Sequence, residues 1–136
     1  MKKLILIISL FIVGTSFGQT LDIVNNTSID ITVEYMEYDE NPPFCTNPST
    51  VISITVPAGT STTGIGLTFT TFPTNRFLSV RAMETSTGIR DSRLLTTQFS
   101  GCHSYQGIAM YSAFSIPVTG TWTEDPGTND VDIEFN

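Results

Sequence analysis

Apolar side chains recur at every second position through Leu21–Tyr38. Leu21 and Ile23, then Ile29, Ile31, Val33 and Tyr35, mark one face, with Asp22, Asp30, Thr32 and Glu34 between them. A period of two belongs to a strand with one dry and one wet face. The stretch therefore reads as an antiparallel pair, Thr20–Asn25 and Ile29–Tyr38, joined through Asn26, Thr27 and Ser28, which suit a turn.

The same alternation returns along the chain. Val51–Val56, Ile65–Phe72, Phe77–Glu84, Leu94–Phe99 (starting as early as Ile89), Gln106–Ile116 and Val131–Phe135 all read as strands. Gln106–Ile116 is apolar on both faces, which predicts a central position. Pro57-Ala58-Gly59, the polar Thr60–Gly64 and most of Pro117–Thr128 read as turn or loop, because proline and glycine interrupt a ladder. Asp39–Pro48, rich in proline, reads as a surface loop. No window of helical length carries an apolar stripe at i, i+3 and i+4. The expected fold is all-β, an antiparallel β-sandwich of about eight strands, immunoglobulin-like or jelly-roll-like. A true immunoglobulin domain is disfavoured, since its core tryptophan lies between two cysteines and Trp122 follows both cysteines here.

The chain opens with Met1-Lys2-Lys3 and an apolar run from Leu4 to Val13, followed by small residues up to Gly18. A basic head, a short apolar run and a small-residue cut site form a secretory signal. The expected organisation is a cleaved signal over 1–18 and a single sandwich domain over 19–136, secreted or periplasmic, with no membrane span in the mature chain. Cleavage would remove both lysines, leaving Arg76, Arg81, Arg90 and Arg93 as four positive charges against thirteen acids, a formal charge of −9. Such a balance repels phosphate backbones and excludes nucleic acid as a natural partner. The arginines fall between positions 76 and 93, where they would balance neighbouring acidic strands or meet an acidic partner.

Cys45 and Cys102 are the two cysteines, and in an exported chain they are expected to pair. Closing so long a loop stabilises by about 4 kcal/mol at most in the chain-entropy view.

Ile23-Val24-Asn25-Asn26-Thr27, leading into an alternating strand, and the later Val56-Pro57-Ala58-Gly59-Thr60 make a recurrent pattern. In these residues the chain resembles small exported all-β proteins of Gram-negative bacteria with no assigned activity. The resemblance implies a fold and a compartment, and no site.

Chemistry is sparse. His103, the only histidine, adjoins Cys102, but neighbours on extended backbone point apart and the cysteine is better used in a disulfide. Glycoside hydrolysis needs two carboxylates across a cleft, whereas the acids here sit on alternating outward positions or in loops. One histidine and two oxidised thiols leave transition metals without ligands. Glu124–Asp132 gathers oxygen ligands around a Pro126-Gly127 turn, so Asp125, Asn129, Asp130 and Asp132 are calcium candidates, against a plain hairpin turn. Tyr105 and Trp122, placed in loops, are candidates for an exposed ligand platform of the kind that stacks on sugar rings. The expected function is an exported, non-catalytic binding, adhesion or structural surface module, not an enzyme, with no cofactor other than calcium and a protein or carbohydrate partner. The alternatives are a small secreted hydrolase and a secreted inhibitor presenting the loop over 39–47.

Overall fold

The computed structural model describes residues 19–39, 51–66, 75–96, 106–128 and 130–136. These contain the strands β1 (Thr20–Asn25), β2 (Ile31–Asp39), β3 (Ile52–Val56), β4 (Thr60–Gly66), β5 (Asn75–Glu84), β6 (Arg90–Thr96), β7 (Ile108–Tyr111), β8 (Val118–Glu124) and β9 (Val131–Phe135). They form two sheets, one ordered β4-β1-β9-β8-β7 and the other β3-β2-β5-β6. The fold is an all-β sandwich. Every pairing is antiparallel except that of β1 with β9, which run parallel from Leu21↔Val131 to Asn25↔Phe135. The expected signal over 1–18, Cys45 and Cys102 with their expected pairing, His103 and residues 40–47 of the expected loop lie outside the described residues.

The sheets close on one core. Leu21, Ile23, Ile31, Val33, Tyr35, Val56, Val80, Ala82, Leu95, Tyr111, Trp122, Ile133 and Phe135 are all buried in it. Each large aliphatic or aromatic side chain removed from water stabilises by about 1.5–3 kcal/mol, so alternate burial on facing sheets is enough to hold such strands together. Tyr111 stacks on Phe114 at a centroid distance of 5.4 Å and tilts against Phe135 at 5.9 Å.

Four expectations are corrected. β1 and β2 do not pair: they lie in different sheets, and the turn between them carries the chain across the sandwich. Asn25 explains the crossing. Fully buried, it donates from Nδ2 to Ile29 O and Val56 O, both at 2.9 Å, and its Oδ1 accepts from Thr27 N at 3.1 Å and Thr27 Oγ1 at 2.6 Å. The side chain thus does the hydrogen bonding that a hairpin ladder would have done. Second, Thr60–Gly64 belongs to β4, a strand at the sheet edge and mostly solvent-exposed, which accounts for its polar composition. Third, Pro117–Thr128 contains β8, an interior strand that buries Val118, Gly120 and Trp122 between β7 and β9. Fourth, the segment expected to be the central strand supplies only the short β7 at a sheet edge, with Ala109 and Tyr111 inward and Ile108 and Met110 exposed.

The two segments Ile23–Thr27 and Val56–Thr60 meet in space. Asn25 binds Val56 O, Gly59 N donates to Thr27 O at 3.2 Å, and Asn25 faces Thr60 across the β1–β4 pair. Gly59 turns at φ 66°, a conformation that side chains other than glycine rarely hold, where Thr60 N reaches Pro57 O. The pattern is therefore the joint between the sheets.

Acids are not confined to the wet faces, contrary to their alternating placement in sequence: Glu37, Glu84 and Asp91 are buried. Glu84, at the end of β5, accepts from Ser115 N and Ser115 Oγ, each at 2.7 Å, and from Ser86 Oγ at 3.2 Å. The Ser115 backbone N–H, then its hydroxyl, outweigh burial and hold the Glu84 carboxyl below its ordinary pKa. A depressed carboxyl adds stability above its unfolded pKa of about 4.3, and this is lost as pH falls through the lower folded value. Thermal melts on acidification should therefore show a shallower loss for Glu84→Gln than for the wild type, together with a lower melting temperature at neutral pH. Parallel pH profiles for the two proteins would remove Glu84 from the acid response.

Candidate functional site

The outer face of the β3-β2-β5-β6 sheet carries the site. Strand register lines up Ser53, Glu34, Arg81 and Leu94 in one cross-strand row, and Met36, Ser79 and Thr96 in the next. Between the rows is a groove of about 140 Å³ lined by Glu34, Met36, Val51, Ser79, Arg81 and Leu94. Strand periodicity puts these groups here. With Val33, Tyr35, Val80, Ala82 and Leu95 turned to the core, the residues between them must face outward. A bulge between Met36 and Glu37 in the β2–β5 pair ends the regular register at one end of the groove.

Its electrostatics are lopsided. Glu34 Oε1 lies 2.8 Å from Arg90 Nη2, so this carboxylate is already paired across the sheet. Arg81 Nε and Ser79 Oγ are both buried, and neither has a hydrogen-bond partner among the described residues. Ser79 is only 1% exposed. Two buried donors left unmade cost free energy, about 1–3 kcal/mol each in typical cases, unless something outside the chain meets them. Met36, Val51 and Leu94 provide apolar walls. All four arginines of the chain belong to one hairpin, Arg76 and Arg81 in β5 and Arg90 and Arg93 in β6. Arg93 donates from Nη1 to Met110 O, which ties β6 to β7.

Of the calcium candidates, Asp125, Asp130 and Asp132 are placed at the β8–β9 hairpin, and Asp125 and Asp130 are engaged there. Asp125 Oδ1 accepts from Gly127 N at 2.7 Å, and Asp125 N donates to Asp130 O at 3.0 Å. Asp130 Oδ1 accepts from Thr20 N at 2.7 Å and from Thr20 Oγ1 at 2.9 Å; the backbone bond is the first cause of its lowered pKa. Asp132 stands opposite Asp22 in the parallel pair. Its carboxyl is raised, first by burial and then by the charges of Asp22, Asp130 and Asp125. Asn129 lies outside the described residues, and among those described no three metal-ligating side chains converge. These bonds are those of a hairpin turn clamped to the start of β1.

The platform expectation is corrected at Trp122. It is 3% exposed and belongs to the core, facing Ile133 across the β8–β9 pair, so its ring offers no surface for stacking. Tyr105 lies outside the described residues. The sequence points to Arg81 only as one of four clustered arginines, and nothing in it marks Ser79, Glu34 or Met36 as part of a site. The usable signal was the confinement of arginine to positions 76–93, with Arg81 set between the core-facing Val80 and Ala82. Comparison with protein-family models, with curated proteins and with solved structures finds no match to this chain.

Proposed function

We propose that the chain is an exported, non-catalytic binding module, and that the groove over β2, β5 and β6 is where it holds its ligand. The observation that carries this reading is the pair of unpartnered buried donors, Ser79 Oγ and Arg81 Nε, in an apolar-walled depression. Binding sites of this kind combine apolar lining with a few placed polar groups. At about 140 Å³ the groove suits a small molecule or one end of a larger one. The basic head, apolar run and small-residue cut site support export. A binding role rather than a hydrolytic one is supported by how the described acids are used: Glu34 pairs with Arg90, Glu84 with Ser115, and Asp130 with Thr20.

The test is a backbone amide NMR titration of the labelled protein with a panel of small organic acids, neutral sugars and short peptides. Shifts should centre on Met36, Ser79, Arg81 and Leu94. A panel member that binds while these amides stay still, moving those of another face, would place the site elsewhere.

A further inference from the structure

We infer that the ligand of this groove is a monocarboxylate bearing a short apolar group, held by its carboxylate on Arg81 and Ser79. The inference rests on the groove being the binding site and adds the chemistry of its occupant. Arg81 offers a planar fork in which Nε and one terminal nitrogen match the two oxygens of a carboxylate. Its Nε is buried and unpartnered, and the Ser79 hydroxyl on the same strand, two residues away, is likewise without a partner. The charge is right as well: Glu34 is paired with Arg90, while no carboxylate is within ion-pair distance of Arg81 among the described residues.

The remaining lining decides between anions. Met36, Val51 and Leu94 give nothing to a phosphate or sulfate but cover an alkyl chain or an aliphatic side chain. The Glu34 carboxylate in the same wall disfavours a dianion more than a monoanion. The ligand's single charge must also approach an acidic protein, and Arg81, with Arg90 paired to Glu34 beside it, makes this face the favourable approach. Free aliphatic acids and the C-terminal residue of a peptide share this chemistry.

The experiment titrates the purified protein with hexanoate, hexanol, N-acetyl-leucine and inorganic phosphate, following the amides of Met36, Ser79, Arg81 and Leu94. Hexanoate and N-acetyl-leucine should shift these amides, and hexanol and phosphate should bind much more weakly. Whichever of the two carboxylates binds tighter identifies the source, a free acid or a peptide end. Arg81→Gln should weaken hexanoate by about 10- to 100-fold, the usual worth of a charge-assisted bidentate contact. Arg81→Lys, which keeps the charge and loses the fork, should fall between, and Ser79→Ala should weaken binding by about 3- to 10-fold. Thermal melts of each variant separate lost binding from lost folding. Equal binding of hexanol and hexanoate at these amides would overturn the carboxylate assignment and leave the groove reading standing. Phosphate binding as tightly as hexanoate would overturn the apolar part of the assignment. No shift at these amides with any of the four probes would overturn both.

Discussion

Asn25→Ala should lower the stability of the domain by about 3–5 kcal/mol, measured by denaturant unfolding. The side chain makes four hydrogen bonds in a site with no exposure, to Ile29 O, Val56 O, Thr27 N and Thr27 Oγ1. Truncation leaves the Val56 carbonyl and the Thr27 amide without this partner, and each stranded buried group costs about 1–3 kcal/mol. The cost falls on the joint between the sheets, where the chain passes from β1 to β2 and where β3 turns into β4. Asn25→Asp tests the hydrogen-bond account more sharply. It keeps the acceptor for Thr27 but turns its second oxygen towards two carbonyls, so ionisation is disfavoured and its pKa must rise. Stability of that variant is then lost as pH rises through the raised folded pKa and is regained on acidification. A loss that does not depend on pH would mean that shape, not hydrogen bonding, governs the site.

Gly120→Ala is the second large effect, through the opposite fault. A Cβ built at Gly120 would sit 2.8 Å from Tyr111 Cε2, 3.0 Å from Leu95 Cδ1 and 3.1 Å from Phe135 Cε1. All three side chains are fully buried, so none can swing into solvent. Overpacking a tight core costs about 1–3 kcal/mol, which for a domain of this size lowers the melting temperature by about 5–15 °C. Gly120→Val should be worse than Gly120→Ala, since added bulk rather than lost flexibility is at fault. If alanine raised the melting temperature, as it does where glycine only loosens the unfolded chain, the close approach would be refuted.

These two positions show where sequence reading succeeds and where it stops. β1 and β9 have the expected bounds, because clean alternation of apolar with acidic residues in Thr20–Asn25 and Val131–Phe135 needs no tertiary information. Around Gly120 the local signal misleads. A glycine within a strand pattern, with Pro117 before it and Pro126-Gly127 after, reads as a turn, yet the missing side chain makes room for Tyr111 from β7 and Phe135 from β9. Asn26-Thr27-Ser28 reads as a hairpin turn for the same reason: turn residues announce that the chain bends, not which sheet it bends into. Trp122 reads as exposed with its surrounding loop, but that segment is β8, whose inward face carries the ring into the core.

The groove was legible only in part. Arginine clustering between positions 76 and 93 is visible in the sequence, and β5 and β6 do place that charge on one hairpin. What sequence could not show is that Arg81 stands beside Glu34 while Glu34 takes its ion pair from Arg90, leaving Arg81 Nε and Ser79 Oγ buried without partners in a groove with apolar walls. The sequence by itself determined the class of fold, most of the strands and the inward or outward facing of their side chains, because a period of two is written in consecutive residues. Tertiary structure alone decided strand partners, the parallel β1–β9 pair, the burial of Trp122 and the groove. Each depends on residues far apart in the chain whose meeting is set by register and by the filling of the core, neither of which any single segment encodes.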